Sequence, residues 1–176
     1  MRIAAQVMVL IGFLHAIQAW GQDDHPEPDD RGFFVSVGDP VPEFELTDLQ
    51  GQTFSKTSLL GQSYVLQFTA SWCGVCRKEM PHLEKEVWQG GEGHLVIGVD
   101  LNEPKERVAE FAEQTGVTYP MAPDAGGAVF ETIAAPKSGV TRNVVVDAQG
   151  HIVFLTRLFD EEEFDQMKAV LAKLNP

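Results

Sequence analysis

Cysteine is almost absent from this chain: 176 residues hold two, both in Trp72-Cys73-Gly74-Val75-Cys76. With nothing elsewhere to cross-link, a scaffold of structural disulfides is all but excluded. A zinc site lacks its second half, because His25, His82, His94 and His151 form no pair at the spacing a tetrahedral site needs. Basic residues are also scarce, 13 against 26 acidic for a net charge of −13, so the chain lacks the positive surface that nucleic acid requires. Gly90, Gly91, Gly93, Gly126 and Gly127 match neither a dinucleotide fingerprint nor a phosphate-binding loop and read as turns. No internal repeat is evident.

What is present is one domain's worth of core, with 44% hydrophobic residues, and a distinctive N-terminus. Arg2 precedes an apolar run from Ile3 to Ala16, small residues follow at Ala19 and Gly21, and no acid appears before Asp23. This is the pattern of a secretory signal over residues 1–21, cleaved after Ala19 or Gly21; the alternative is an uncleaved anchor, since Ile3 to Trp20 nearly spans a thin bilayer. The segment has no cysteine to acylate, which excludes a lipid anchor there. Asp23, Asp24, Glu27, Asp29 and Asp30, mixed with Pro26 and Pro28, predict an acidic flexible linker over 22–32, with the folded domain occupying 33–176. Export to an oxidising compartment implies a partner that keeps an accessible thiol pair cycling.

From Phe33 the pattern is globular. Phe44, Leu46 and Phe54 flank a turn at Asp48-Leu49-Gln50-Gly51 and predict a hairpin. Tyr64 to Thr69 is an apolar strand that stops just before the cysteines, after which Cys76, Met80, Leu83 and Val87 recur at helical spacing with Pro81 bending the helix. Leu95 to Val99 completes a βαβ unit with parallel strands. Asn102 and Pro104 start a helix that Gly116 stops, and a weaker helical segment runs near Ala125 to Ile133. Asn143 to Val146 and His151 to Leu155 form an antiparallel pair, and Asp160 with Glu163 resembles a capping box opening the last helix.

The cysteine pair therefore sits at a strand-to-helix junction, where unpaired backbone N–H groups and the helix dipole favour a thiolate on Cys73. Cys73 is the expected nucleophile. Cys76, one turn deeper, can then attack the resulting mixed disulfide and release the product. Glu79 lies three residues on, on the same helical face, where a partly buried carboxylate with a raised pKa can take the Cys76 proton; the plain alternative is a solvated glutamate beside Arg77 and Lys78. His82 reads as a surface histidine.

A βαβ half carrying WCxxC at the turn, followed by a ββα half, resembles the thioredoxin fold, and the likeness sharpens to the exported TlpA/ResA/DsbE thiol-disulfide oxidoreductases. The residues that carry it are Gly38-Asp39-Pro40-Val41-Pro42-Glu43-Phe44-Glu45-Leu46, the hairpin through Gly51, Gly61, and Ala70-Ser71-Trp72-Cys73-Gly74-Val75-Cys76-Arg77-Lys78-Glu79-Met80-Pro81. The resemblance implies an α/β, thioredoxin-like fold: a central mixed sheet flanked by helices, an N-terminal β-hairpin, and an inserted helix after the second βαβ strand. It implies protein-disulfide reduction through Cys73 and Cys76, with Glu79 matching the glutamate this branch carries after its second cysteine. Trp72, Gly74, Val75 and Thr141 are implied as substrate-binding, with Trp72 a lid beside the sulfurs.

Two positions depart from the pattern. Gln67 stands where thioredoxins proper carry a buried acid, and Thr141 stands where the family has a cis-proline. A cis bond before a non-proline costs about 2.5 to 4 kcal/mol, and nothing visibly compensates it, so the Val140–Thr141 bond is expected to be trans or strained. Arg142 beside it reads as a salt-bridge residue or an anion guide. The implied partners are a protein disulfide or dithiol, apocytochrome c among them, and a periplasmic or membrane-side thiol donor; no cofactor and no metal are expected. Two rivals remain: a thiol peroxidase, for which Ala70 replaces the threonine wanted three residues before the reactive cysteine, and a copper-handling protein using the same soft sulfurs.

Overall fold

The computed structural model describes residues 27–90 and 93–174. The expected signal segment and residues 22–26 of the expected linker lie outside them. A two-stranded sheet comes first, β1 (Glu45–Thr47) antiparallel to β2 (Thr53–Ser55). The central sheet contains β3 (Tyr64–Thr69), β4 (Leu95–Leu101), β5 (Met121–Asp124), β6 (Arg142–Val146) and β7 (Ile152–Arg157), in the order β5-β4-β3-β6-β7. β4 runs parallel to β3 and to β5, while β6 is antiparallel to β3 and to β7, which makes the sheet mixed as the resemblance implies.

β3 is buried along its whole length, as a central strand of six consecutive non-breaking residues should be. The sequence reading did not include β5. Its four residues carry Pro123, which a strand tolerates only at an edge, and β5 is the edge.

Helix α1 (Gly74–His82) follows β3 directly. Cys76 and Met80 face the sheet, and the same face continues through Leu83 and Val87. Pro81 supplies no N–H at the end of α1, and the chain does not simply bend there. It widens into a π-helical segment over Leu83–Trp88, where the Gln89 N–H reaches back five residues to the Glu84 carbonyl at 2.9 Å.

Helix α2 (Lys105–Thr115) ends at Gly116, whose φ of 71° is the left-handed cap that favours glycine. A 3₁₀ turn (Ala125–Gly127) leads into α3 (Ala128–Ile133), and α4 (Glu161–Leu174) closes the fold. Asp160 accepts the Glu163 N–H at 2.9 Å, half of the expected capping box, but the Glu163 carboxylate turns outward to Arg31 at 2.6 Å and to the Arg157 N–H at 3.2 Å.

Residues 27–32 of the expected linker are among those described. Asp29 Oδ1 accepts the N–H groups of Arg31 and Phe33, and Arg31 reaches Glu163, so acidic composition here serves a turn that docks the chain onto the domain.

Candidate active site

The site forms where β3 ends. Residues 70–72 make a turn, with the Cys73 N–H bonded to the Ala70 carbonyl at 3.0 Å, and two charged side chains brace it. Glu103, just before α2, accepts the Ser71 N–H at 2.5 Å and the Ser71 hydroxyl at 2.6 Å. Arg77 donates to the Ser71 carbonyl at 2.8 Å while its guanidinium lies 4.8 Å from the centre of the Phe111 ring. Neither brace was read from the sequence, because a charged residue outside the cysteine motif shows no spacing that ties it to a turn.

Cys73 is the N-cap of α1, in extended backbone, and its Sγ accepts the Cys76 N–H at 3.1 Å, an unpaired donor of the first helical turn. Cys73 and Cys76 are joined as a disulfide. Cys76 is fully buried and Cys73 retains slight exposure, the asymmetry expected of a resolving and an attacking sulfur.

Thr141 lies against both, its Oγ1 3.1 Å from Cys73 Sγ and 3.2 Å from Cys76 Sγ. No described peptide bond is cis, so the Val140–Thr141 bond is trans. The Thr141 carbonyl accepts the Leu158 N–H at 2.9 Å. Trp72 is two-thirds exposed at 66%, next to Cys73.

Glu79 is 1% exposed on the inner face of α1, the face that also carries Cys76. Burial pushes its carboxyl up from 4.5 to about 7, opposed by the amide hydrogen bonds from Gln67 and Asn143. Those donors come from the sheet: Asn143 Nδ2 at 2.7 Å and Gln67 Nε2 at 3.3 Å. Gln67 Oε1 accepts the Tyr119 hydroxyl at 2.7 Å, and Asn143 Nδ2 also reaches the Thr156 hydroxyl at 2.8 Å.

Gln67, Asn143 and Thr156 are register partners across β3, β6 and β7, so a polar row crosses three strands of the sheet and ends at Glu79. Asn143 stands two residues after Thr141, which puts both side chains on the α1 side. The sequence reading marked Gln67 as a departure but missed Asn143, Tyr119 and Thr156. The available signal was a polar residue interrupting an apolar strand.

Among the described residues Arg142 forms no salt bridge, and its burial does not suit an anion guide. It is fully buried, donates to the carbonyls of Arg31 at 2.9 Å and Gly139 at 3.2 Å and to the Ser138 hydroxyl at 2.8 Å, and stacks 4.2 Å from the Phe33 ring centre. It pins the N-terminal turn to the loop before β6. His82 is at the surface, bonded to Glu86 at 2.9 Å and packed on Phe159. Among the described residues no cluster of three His, Cys, Asp or Glu side chains could hold a metal.

A mixed five-stranded sheet with a cysteine pair capping the helix after its central strand, and a buried carboxyl behind the pair, defines a thioredoxin-like thiol-disulfide oxidoreductase. The AhpC/TSA family pattern matches residues 37–155, more than half of the chain, and the chain belongs to that family. The thiol-disulfide oxidoreductase ResA of Bacillus thuringiensis (strain Al Hakam) is 28% identical over 152 residues, covering 83% of this chain and 86% of ResA. The solution structure of a candidate protein disulfide isomerase from Bacteroides thetaiotaomicron superposes with a TM-score of 0.78 at 44% identity, covering 82% of this chain and 92% of that one. A candidate thiol:disulfide interchange protein DsbE from Chlorobium tepidum shares the fold, with a TM-score of 0.66 at 23% identity over 80% of this chain and 99% of its own.

Proposed function

We propose that this protein is exported and reduces the disulfides of other exported proteins. The observation that carries this reading is a Cys73–Cys76 pair at a helix N-terminus backed by a buried carboxyl pushed up to about 7. Such a group holds a proton or releases it near neutral pH, as a dithiol that must gain and lose protons in each cycle requires.

Cys73 attacks the substrate disulfide, Cys76 resolves the mixed disulfide, and Glu79 takes the Cys76 proton. Trp72, Gly74, Val75 and Thr141 are the residues assigned to substrate contact around Cys73. The substrate is a protein disulfide, with apocytochrome c in the class that the resemblance implies, and a periplasmic or membrane-side dithiol restores the reduced state.

Export rests on the sequence pattern of Arg2, the apolar run Ile3 to Ala16 and the small residues after it. No helix among the described residues is long and apolar enough to cross a membrane. A peroxidase reading is disfavoured by Ala70, which offers no hydroxyl at the position three before Cys73.

The direction of electron flow is tested by the reduction potential of the Cys73–Cys76 couple together with insulin reduction. A potential near about −270 mV with insulin turnover supports a reductase; a potential near about −120 mV would make it an oxidant. Copper titration of the reduced protein separates exchange from metal handling, because tight Cu(I) binding without insulin turnover would favour the second.

A further inference from the structure

Neither sulfur of the Cys73–Cys76 disulfide carries a hydrogen, so in the contacts at 3.1 and 3.2 Å the Thr141 hydroxyl is the donor, with one hydrogen for the two sulfurs. The residue is held from two sides. It is 3% exposed with β6 beginning at the next position, and its carbonyl is fixed by the Leu158 N–H. Among the described residues the other hydrogen-bond donor at Cys73 Sγ is the Cys76 N–H at 3.1 Å. A proline in place of Thr141 offers no hydroxyl, so this chain has gained a hydrogen-bonding group in contact with both reacting atoms.

We propose that the Thr141 hydroxyl is a catalytic group that donates its hydrogen to whichever of the two sulfurs carries negative charge. The proposal rests on the disulfide-exchange reading above. In the first step the Cys73 thiolate attacks one sulfur of the substrate disulfide. The bond to Cys73 Sγ forms, the substrate S–S bond breaks, and the second substrate sulfur leaves as a thiolate that takes a proton from water. In the second, the Cys76 thiol gives its proton to Glu79 and attacks Cys73 Sγ. The internal disulfide forms, the mixed disulfide breaks, and the remaining substrate sulfur leaves as a thiolate. Two electrons have then passed from the protein to the substrate.

Charge sits on Cys73 Sγ before the first step and on Cys76 Sγ before the second. A hydroxyl nearly equidistant from the two serves each in turn by rotating its O–H bond. Before attack it can donate to the Cys73 thiolate while its lone pairs accept the Cys76 S–H, since a hydroxyl is both donor and acceptor. Hydrogen bonds to charged groups are the strong ones, so the effect on thiolate formation is large enough to measure.

The test compares wild type with T141V, which keeps the branched shape and removes the hydroxyl, with T141S, which keeps the hydroxyl, and with T141A, which removes both. The readouts are the pH midpoint of iodoacetamide alkylation of Cys73 in the reduced protein and the rate of insulin reduction. T141V and T141A should move the midpoint up by about one unit or more and slow insulin reduction about tenfold or more, with T141S within about twofold of wild type. If T141V does not fold, the T141S and T141A pair carries the same comparison. A T141V or T141A midpoint equal to wild type, or a T141S midpoint displaced as far as T141A, overturns the role of the hydroxyl. Wild-type protein that fails to reduce insulin overturns the exchange reading instead, whatever the midpoints.

Discussion

Replacing Glu79 by Gln keeps the size of the side chain and removes its charge, so the variant separates what burial does to the carboxyl from what the carboxyl does to the sulfurs. The folded-state value is about 7 against 4.5 for the free group, so between those values the folded protein holds a proton that the unfolded chain has released. Stability therefore falls as pH rises through that window. The difference between the two values corresponds to about 3 kcal/mol of stability lost by pH 8 relative to pH 4.5. Glu79→Gln removes this loss. Its own cost is an amide N–H₂ set against one of the Gln67 and Asn143 donors while Oε1 accepts from the other, about 1 kcal/mol and independent of pH. Urea melts across this range should show the variant slightly weaker than wild type at acid pH and stronger above neutrality, the curves crossing between. Catalysis should move the other way: loss of a general base slows resolution by about 100-fold, and the mixed disulfide with substrate accumulates. A stability difference that stays flat from roughly pH 5 to 8 would refute the burial argument, and wild-type turnover over the same range would remove Glu79 from the mechanism.

Cys73→Ser should abolish exchange, whereas Cys76→Ser should attack substrate and stall as a mixed disulfide visible on non-reducing gels; partners trapped by the Cys73→Ser protein alone would reverse the assignment. Asp100 is fully buried on β4, and burial followed by the neighbouring Glu103 carboxylate pushes it up to about 8. The folded value again exceeds the unfolded one, so Asp100→Asn should gain melting temperature over wild type progressively from about pH 4 to pH 8, and a constant offset would contradict the shift. Gly98 in β4 has the Met121 side chain directly over it and Tyr119 at 3.2 Å from where a Cβ would lie. Gly98→Ala should cost about 1–3 kcal/mol and displace the Tyr119 hydroxyl from Gln67, so an unaltered thermal melt would show that the packing relaxes freely.

Where one face of an element carries the information, the sequence reading matched the structure. The apolar run of β3, the spacing of Cys76, Met80, Leu83 and Val87, and Gly116 as a helix stop each depend on residues within a few positions of one another. What stayed hidden depends on residues far apart. Arg142 carries a charge that predicts solvent, yet carbonyls at Arg31, Ser138 and Gly139 and the Phe33 ring assemble a buried socket that no local pattern announces. β5 was obscured by Pro123, which argues against a strand unless the edge position is already known.

The site divides along the same line. Two cysteines two residues apart before a helical repeat are visible in one dimension, and so is a glutamate one turn beyond them. What sets the behaviour of that glutamate is a row of side chains, Gln67, Asn143 and Thr156, brought level by the register of three strands that lie up to 89 residues apart in the chain. Without the amide donors from Gln67 and Asn143 the same burial would raise the carboxyl further, since both hydrogen bonds favour the charged form. The polar row is therefore what holds Glu79 near neutrality, where it can both accept and return a proton. Thr141 is the matching case on the sulfur side. Its substitution for proline reads in sequence as the loss of a backbone geometry, and only the juxtaposition of β6 with the N-terminus of α1 shows that a hydroxyl arrives at both sulfurs.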